Sequence, residues 1–147
     1  MSYKYEYAGF WVRFGATIID ALIMFLAIIP AAWIFYAGDF DLIFATGLSD
    51  QPQNLYFDIL MNYIFPIFYS VLFWLFAAAT PGKMLMRLKV LDEETGNKLT
   101  LGQSILRYIG YIPATLVFLI GLIWIAFDPK KQGWHDKMAK SVVVREI

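Results

Sequence analysis

Arg13, Thr17 and Asp20 are the residues best placed to do chemistry, because they fall on one helical stripe of an otherwise apolar stretch. From Phe14 to Ala37, twenty-four residues pass with Asp20 as the only formal charge. That length crosses a bilayer core of about 30 Å at about 1.5 Å per residue. An ionisable group inside such a run is expensive and needs a partner. Arg13 and Asp20 are seven residues apart, about 10.5 Å along a helix axis, too far for easy direct pairing. Two readings follow. In one, Arg13 snorkels as a topology anchor and Asp20 hydrogen-bonds across a helix interface. In the other, Asp20 is a protonatable carrier switched by a cation or by Arg107. Either way, guanidinium groups from the inner-leaflet side are expected to match the Asp20 carboxylate.

Arg107 lies inside a later apolar segment. It reads as an interfacial arginine with a buried stem, or as the counter-charge for Asp20 or Asp136. The run Gln132-Gly133-Trp134-His135-Asp136-Lys137 holds the only histidine. One His with no Cys makes a weak metal site, and His135 and Asp136, being adjacent, diverge rather than form a dyad. No Gly-x-Ser-x-Gly is present, and Thr80-Pro81-Gly82-Lys83 lacks the glycine spacing of a phosphate loop. No enzyme, metal or cofactor is expected. The candidate charge network is Arg13, Thr17, Asp20, Arg107 and Asp136, with Asn62 and His135 secondary.

Composition supports a membrane setting. Of the 147 residues, 60% are hydrophobic and 16% charged, against about 45–50% and about 25% in soluble domains. Aromatics make up 18%, as lipid-facing spans and interfacial belts require. Net charge is zero, and no basic, aromatic-studded face points to nucleic acid. Zero cysteines remove disulfides and thiolate chemistry. The first apolar run exceeds the about 7–15 residues of a signal-peptide core, so cleavage is not expected.

Three apolar runs must position the charges: 10–37, 57–79 and 101–127. Pro66 is expected to kink the second, which stops at Thr80-Pro81-Gly82. The loop 38–56 carries Asp39, Asp41 and Asp50 but no Lys or Arg. All twelve basic residues lie elsewhere, which predicts a cytoplasmic N-terminus and 80–100 segment, with 38–56 outside. Residues 87–92 and 97–101 read as a hairpin, and 141–147 as a further strand beside it. Thr100 and Gln103 have capping-box spacing, so a helix is expected from Leu101. A simple third crossing would carry the basic tail outside. A Pro-bent or re-entrant segment, turning at Pro113, keeps the tail cytoplasmic and is the favoured arrangement over a plain three-crossing chain. The expected fold class is an all-α membrane protein with two full transmembrane helices, this third segment, and a small cytoplasmic β-hairpin or three-stranded element over 87–101 and 141–147.

Several ordered blocks resemble the RDD family of small bacterial membrane proteins. They are GFWVRFGATIID at 9–20, TPGKMLMRLKVLDEETGNKLT at 80–100, Arg107, and DPKKQGWHDKMAKSVVV at 128–144. The family's signature Arg and two Asp residues map onto Arg13, Asp20 and Asp136. Ser141 stands where relatives commonly have Thr and keeps the hydroxyl. The resemblance implies a single membrane domain over 1–147 in the bacterial cytoplasmic membrane. It also implies transport of unassigned ligands, with sodium/proton antiport in certain members. Two or three helices cannot enclose a path alone, so a transporter of cations or protons would need a homo-oligomer or a membrane-protein partner. The alternative is a non-transporting scaffold or accessory protein whose Arg and Asp residues are structural.

Overall fold

The computed structural model describes residues 5–44, 50–117 and 119–147, with Gln53 described by its backbone alone. Residues 45–49 of the acidic loop, and Lys4 among the basic residues, therefore lie outside the described residues. Helix α1 runs from Phe10 to Phe35, with no acid in its first turn and no base in its last. Its 26 residues extend about 39 Å. Asp39 then caps the short α2, Phe40–Ile43, by accepting the Asp41 amide at 3.0 Å.

The second apolar helix is assembled from α3 (Pro52–Ile59), a π-helical turn (Leu60–Ile64) and α4 (Phe65–Ala77). From Asn54 to Ala77 it is one apolar helix of 24 residues, long enough to cross a membrane. Pro66 has no amide to donate and its ring crowds the preceding carbonyls, and the chain responds by widening the turn just before it. At the loop end, the Tyr36 hydroxyl donates to Asp58 and the Phe35 and Phe57 rings stack at 4.0 Å. These contacts tie α1 to α3.

Ala78 ends α4 in the left-handed region at φ 57°, and the chain hooks back as α5, Pro81–Leu85. Strand β2 (Leu88–Asp92) follows. It pairs antiparallel with β3 (Ser141–Glu146), and β3 pairs antiparallel with β1 (Tyr5–Tyr7), giving the order β1-β3-β2. The tail strand is thus central. The expected return strand at 97–101 is reduced to one bridge, Leu91 to Lys98. Two neighbours explain this. The Asp92 carboxylate folds the turn by accepting the Glu94 and Thr95 amides, and Thr100 already caps the next helix. Too few residues remain to make a strand. The N-terminal Tyr-Glu-Tyr takes the vacant edge instead, an element that three residues cannot announce in sequence.

Helix α6, Leu101–Leu116, opens with the expected Thr100–Gln103 capping box. Pro113 does not break it. The helix runs three residues further, and the axis then turns by 114° into α7 (Ile120–Ile123) and a 3₁₀ turn to Ala126. The left-handed Leu119, φ 62°, marks the bend. Gln103 reaches Asp92 of β2 at 2.7 Å where this segment starts, and Gln132 reaches the Ser141 carbonyl of β3 at 2.9 Å just past its end. The segment therefore leaves the sheet end of the molecule and comes back to it. A last short helix, α8 (Trp134–Met138), leads into β3. Under the sheet, Ala16, Trp74, Leu88, Val90 and Val143 form the buried apolar core.

The pairing of Tyr7 with Val144 makes a direct prediction for this cysteine-free chain. A Tyr7→Cys/Val144→Cys protein should form an intramolecular disulfide on mild oxidation, since facing residues of a strand pair lie within disulfide reach. Tyr7→Cys/Phe35→Cys should not. Absence of the first cross-link on a non-reducing gel would remove β1 from the sheet.

Candidate functional site

Two buried carboxylates organise the sheet end of the molecule. Asp136 sits in the first turn of α8, where its carboxylate turns back to accept the Gly133 amide at 2.9 Å. Arg13, in the first turns of α1, donates to the same oxygen at 2.5 Å. Arg107, midway along α6, donates to the other oxygen. All three side chains are buried, Arg107 and Asp136 completely. Arg107 also donates to the Ser141 hydroxyl at 2.7 Å, and Arg13 to the Lys131 carbonyl at 2.8 Å. One acid thereby joins α1, α6, α8 and the start of β3.

Close approach makes this possible. A Cβ on Gly110 of α6 would lie 2.7 Å from the His135 Cα, so only glycine lets α8 rest there. The Arg107 guanidinium lies over the Trp74 ring at 5.1 Å, and its Nε and Nη2 have no hydrogen-bond partner among the described residues. The indole face compensates part of that loss. His135 stacks on Tyr111 with ring centroids 4.0 Å apart. Its Nε2 lies 3.2 Å from the Arg13 Nη2. A guanidinium can only donate, so Nε2 accepts and the neutral ring carries its proton on Nδ1.

Burial alone would push the Asp136 carboxyl up, but Arg107 and Arg13 override it and hold the group far below the usual carboxylate range. His135 goes down as well. Burial disfavours its charged form most; Asp136 pulls the other way, while Arg107, Arg13 and Lys83 add to the lowering. The Asp136 carboxylate is thus kept ionised, with both oxygens hydrogen-bonded.

The other carboxylate, Asp20, sits about two turns beyond Arg13 along α1. It accepts from the Tyr69 hydroxyl at 3.0 Å, the Gly82 amide at 2.8 Å and the Thr80 hydroxyl at 2.5 Å. Neither Arg13 nor Arg107 touches it. The expected match between Asp20 and guanidinium groups is corrected here: the arginines converge on Asp136, and neutral donors satisfy Asp20. The reason is the hook after α4, which brings the amide end of α5 onto the carboxylate. Gly82 permits it, because a Cβ there would stand 2.2 Å from the Ala16 carbonyl oxygen.

The remaining candidates scatter. Thr17 donates back to the Arg13 carbonyl of its own helix at 3.0 Å and joins neither acid. Asn62 lies exposed in the π turn, outside both clusters. Sequence reasoning missed Tyr69, Thr80 and Gly82 as ligands of Asp20, Trp74 as the ring beneath Arg107, and Lys83 as a buried neighbour of the basic cluster. A Thr-Pro-Gly helix start is an available carboxylate cradle, which was the signal to be read. Among the described residues, no group of three His, Cys, Asp or Glu could hold a metal ion.

The model of the RDD family matches residues 7–140. A Bacillus subtilis (strain 168) protein, "Uncharacterized protein YxaI", is 34% identical over 152 residues, covering 93% of this chain and 96% of that protein. "Uncharacterized membrane protein YteJ" of the same organism is 30% identical, covering 97% of this chain and 83% of that protein. "Uncharacterized protein RP437" of Rickettsia prowazekii (strain Madrid E) is 37% identical over 67% of this chain and 56% of that protein. No solved structure matches.

Two predictions follow from the clamp. Asp136→Asn leaves two buried guanidinium groups without a counter-charge and should lower unfolding stability by about 3–5 kcal/mol. Lys140→Ala, which breaks the exposed contact to Glu94, should cost under about 0.5 kcal/mol. Denaturant unfolding in detergent micelles compares them, and equal losses would refute the clamp. The second concerns pH. His135 binds a proton in the unfolded chain near its ordinary value of 6.5 but resists it when folded. Stability should therefore fall as pH drops from 6.5 towards about 4.5, before Asp136 contributes its own acid loss. His135→Gln should flatten that slope in melting temperature; an unchanged slope would assign it to another group.

Proposed function

The chain belongs to the RDD family, and we propose that it is a multi-pass scaffold or accessory protein of the bacterial inner membrane. In this reading its charged residues fasten a cytoplasmic platform to the membrane helices. One observation carries it: Asp20 and Asp136 are each engaged at both oxygens by groups from elements remote in sequence. Such groups hold a structure together. A carrier must instead release its ligands in each cycle.

The orientation follows from charge. The N-terminal strand, β2 and the tail share one sheet, and every Lys and Arg lies outside 38–56. The positive-inside rule puts that sheet in the cytoplasm, with the acidic loop outside and 101–127 dipping into the bilayer and returning. Re-entrant backbone of this kind is tolerated where protein covers it, and α6 packs on both α4 and α8.

A specific feature favours a second reading. Asp20 is surrounded by hydroxyl oxygens and an amide, and among the described residues no cation forms a salt bridge with it. A monovalent cation or a proton could exchange at that carboxylate, in an oligomer or with a membrane partner that completes a path.

The two readings differ in outcome. For the scaffold, Asp20→Asn should lower the melting temperature in detergent, and wild-type proteoliposomes should dissipate no pH gradient on addition of sodium or potassium. A wild-type flux that disappears in a stably folded Asp20→Asn protein would establish the carrier instead. Orientation is tested by Ile147→Cys and Asp50→Cys proteins in spheroplasts. An impermeant maleimide should label position 50 alone.

A further inference from the structure

A cavity of about 390 Å³, within the usual size range of ligand pockets, lies between the first turns of α1, the second half of α6 and the α7 arm. Phe14, Leu119 and Leu122 give it apolar walls, and Arg13, Lys83 and His135 contribute its polar lining. Arg13 is committed to Asp136, His135 and the Lys131 carbonyl. Lys83 is committed to nothing. The residue is only 6% exposed, yet no hydrogen bond or ion pair joins its side chain to another described residue. The buried Nδ1 of His135 is likewise without a partner.

Charge counting sharpens the point. Arg13, Arg107 and Lys83 are buried cations, and the buried carboxylates are Asp20, Asp128 and Asp136. Asp128 pairs with Lys137 at the surface, Asp136 with the two arginines, and Asp20 is held by neutral donors, so no salt bridge matches Lys83 beside the apolar space. A buried ammonium group without a counter-ion is costly. Burial accordingly lowers the Lys83 pKa, and the two neighbouring arginines add to the effect, against raising contributions from Tyr111 and Asp20.

The rim of the cavity tells what can enter. Phe14 and Leu119 are about half exposed, at 48% and 49%, and Trp11, Ile18 and Ile123 beside them are exposed too. Such a surface on a bilayer-length helix is covered by acyl chains. A ligand arriving from that side is itself an amphiphile, with an anionic end for the lysine.

We propose that this cavity binds the headgroup phosphate of an anionic phospholipid, with Lys83 as its counter-charge and the acyl chains lying against Phe14, Leu119 and Leu122. The assignment requires only that the chain is a membrane protein and holds for a scaffold or a carrier alike. The full chain, purified in detergent, is compared by native mass spectrometry with phosphatidylglycerol and phosphatidylcholine added at equal concentration. Melting temperature is followed with each lipid and with inorganic phosphate. Wild type should retain phosphatidylglycerol preferentially and be stabilised by it. Lys83→Met removes an unmatched buried charge, so it should fold with a melting temperature at or above wild type. It should lose about fivefold to tenfold in phosphatidylglycerol affinity while leaving phosphatidylcholine binding unchanged. A Lys83→Met protein that keeps the wild-type preference overturns the proposal, as does wild-type protein that binds both lipids equally. Stabilisation by inorganic phosphate equal to that by phosphatidylglycerol would make the ligand a soluble anion and overturn the lipid assignment.

Discussion

A carboxylate sealed from water must be matched, and Asp136 is matched twice. Its two guanidinium partners come from helices that begin more than ninety residues apart in sequence, Phe10–Phe35 and Leu101–Leu116. The pairing is worth little as a net gain, because desolvating three charges offsets most of their attraction. Its force lies in the alternative. Any arrangement that buries one of the three without the others is heavily penalised, so α1, α6 and α8 can assemble in one way only. Ser141 receives its hydrogen bond from Arg107 within the same cluster, which sets the start of β3 and hence the register of the central strand.

Asp20 shows the other solution to the same problem. Hydroxyls from α4 and from the residue capping α5, with one α5 amide, replace cations as its partners. Neutral donors are cheaper to bury than a second guanidinium, and an amide at a helix start carries a partial positive charge of its own. That economy leaves Lys83, the residue following Gly82, without an acid. The excess charge at the apolar cavity is thus a direct consequence of how Asp20 is satisfied.

Physical rules of different range governed what could be read from the chain. The two long apolar helices, the Thr100–Gln103 cap, the tail strand and Asp136 as one of two counter-charges for Arg107 rest on local pattern or on charge sign, and these were legible. The partner of Asp20 was not, because it depends on a hook after α4 set by the left-handed Ala78 and a glycine contact with no local signature beyond Thr-Pro-Gly. Proline was misplaced at one point: at Pro113 the helix continued to Leu116 before bending at Leu119, while at Pro66 the expected irregularity takes the form of a π turn. Strand β1 escaped because three residues carry no periodicity, and the 97–101 strand was displaced by a cap competing for the same residues.

The two polar sites also answer a question that lipid poses to any apolar helix. Only 11% of the most apolar stretch of α1 is buried within the protein, so nearly every face of it is equally content among acyl chains. Hydrophobicity then cannot choose which face turns inward. Arg13 and Asp20 can, since they lie on one stripe and each finds its partners in a different element. The first fixes the rotation of α1 against α6 and α8, the second against α4 and α5. Ala16, between them, presents its carbonyl to the surface where Gly82 packs. With rotation fixed at two levels of the same helix, sliding or turning α1 would break both sets of contacts together, which makes the stripe a register device for the whole bundle.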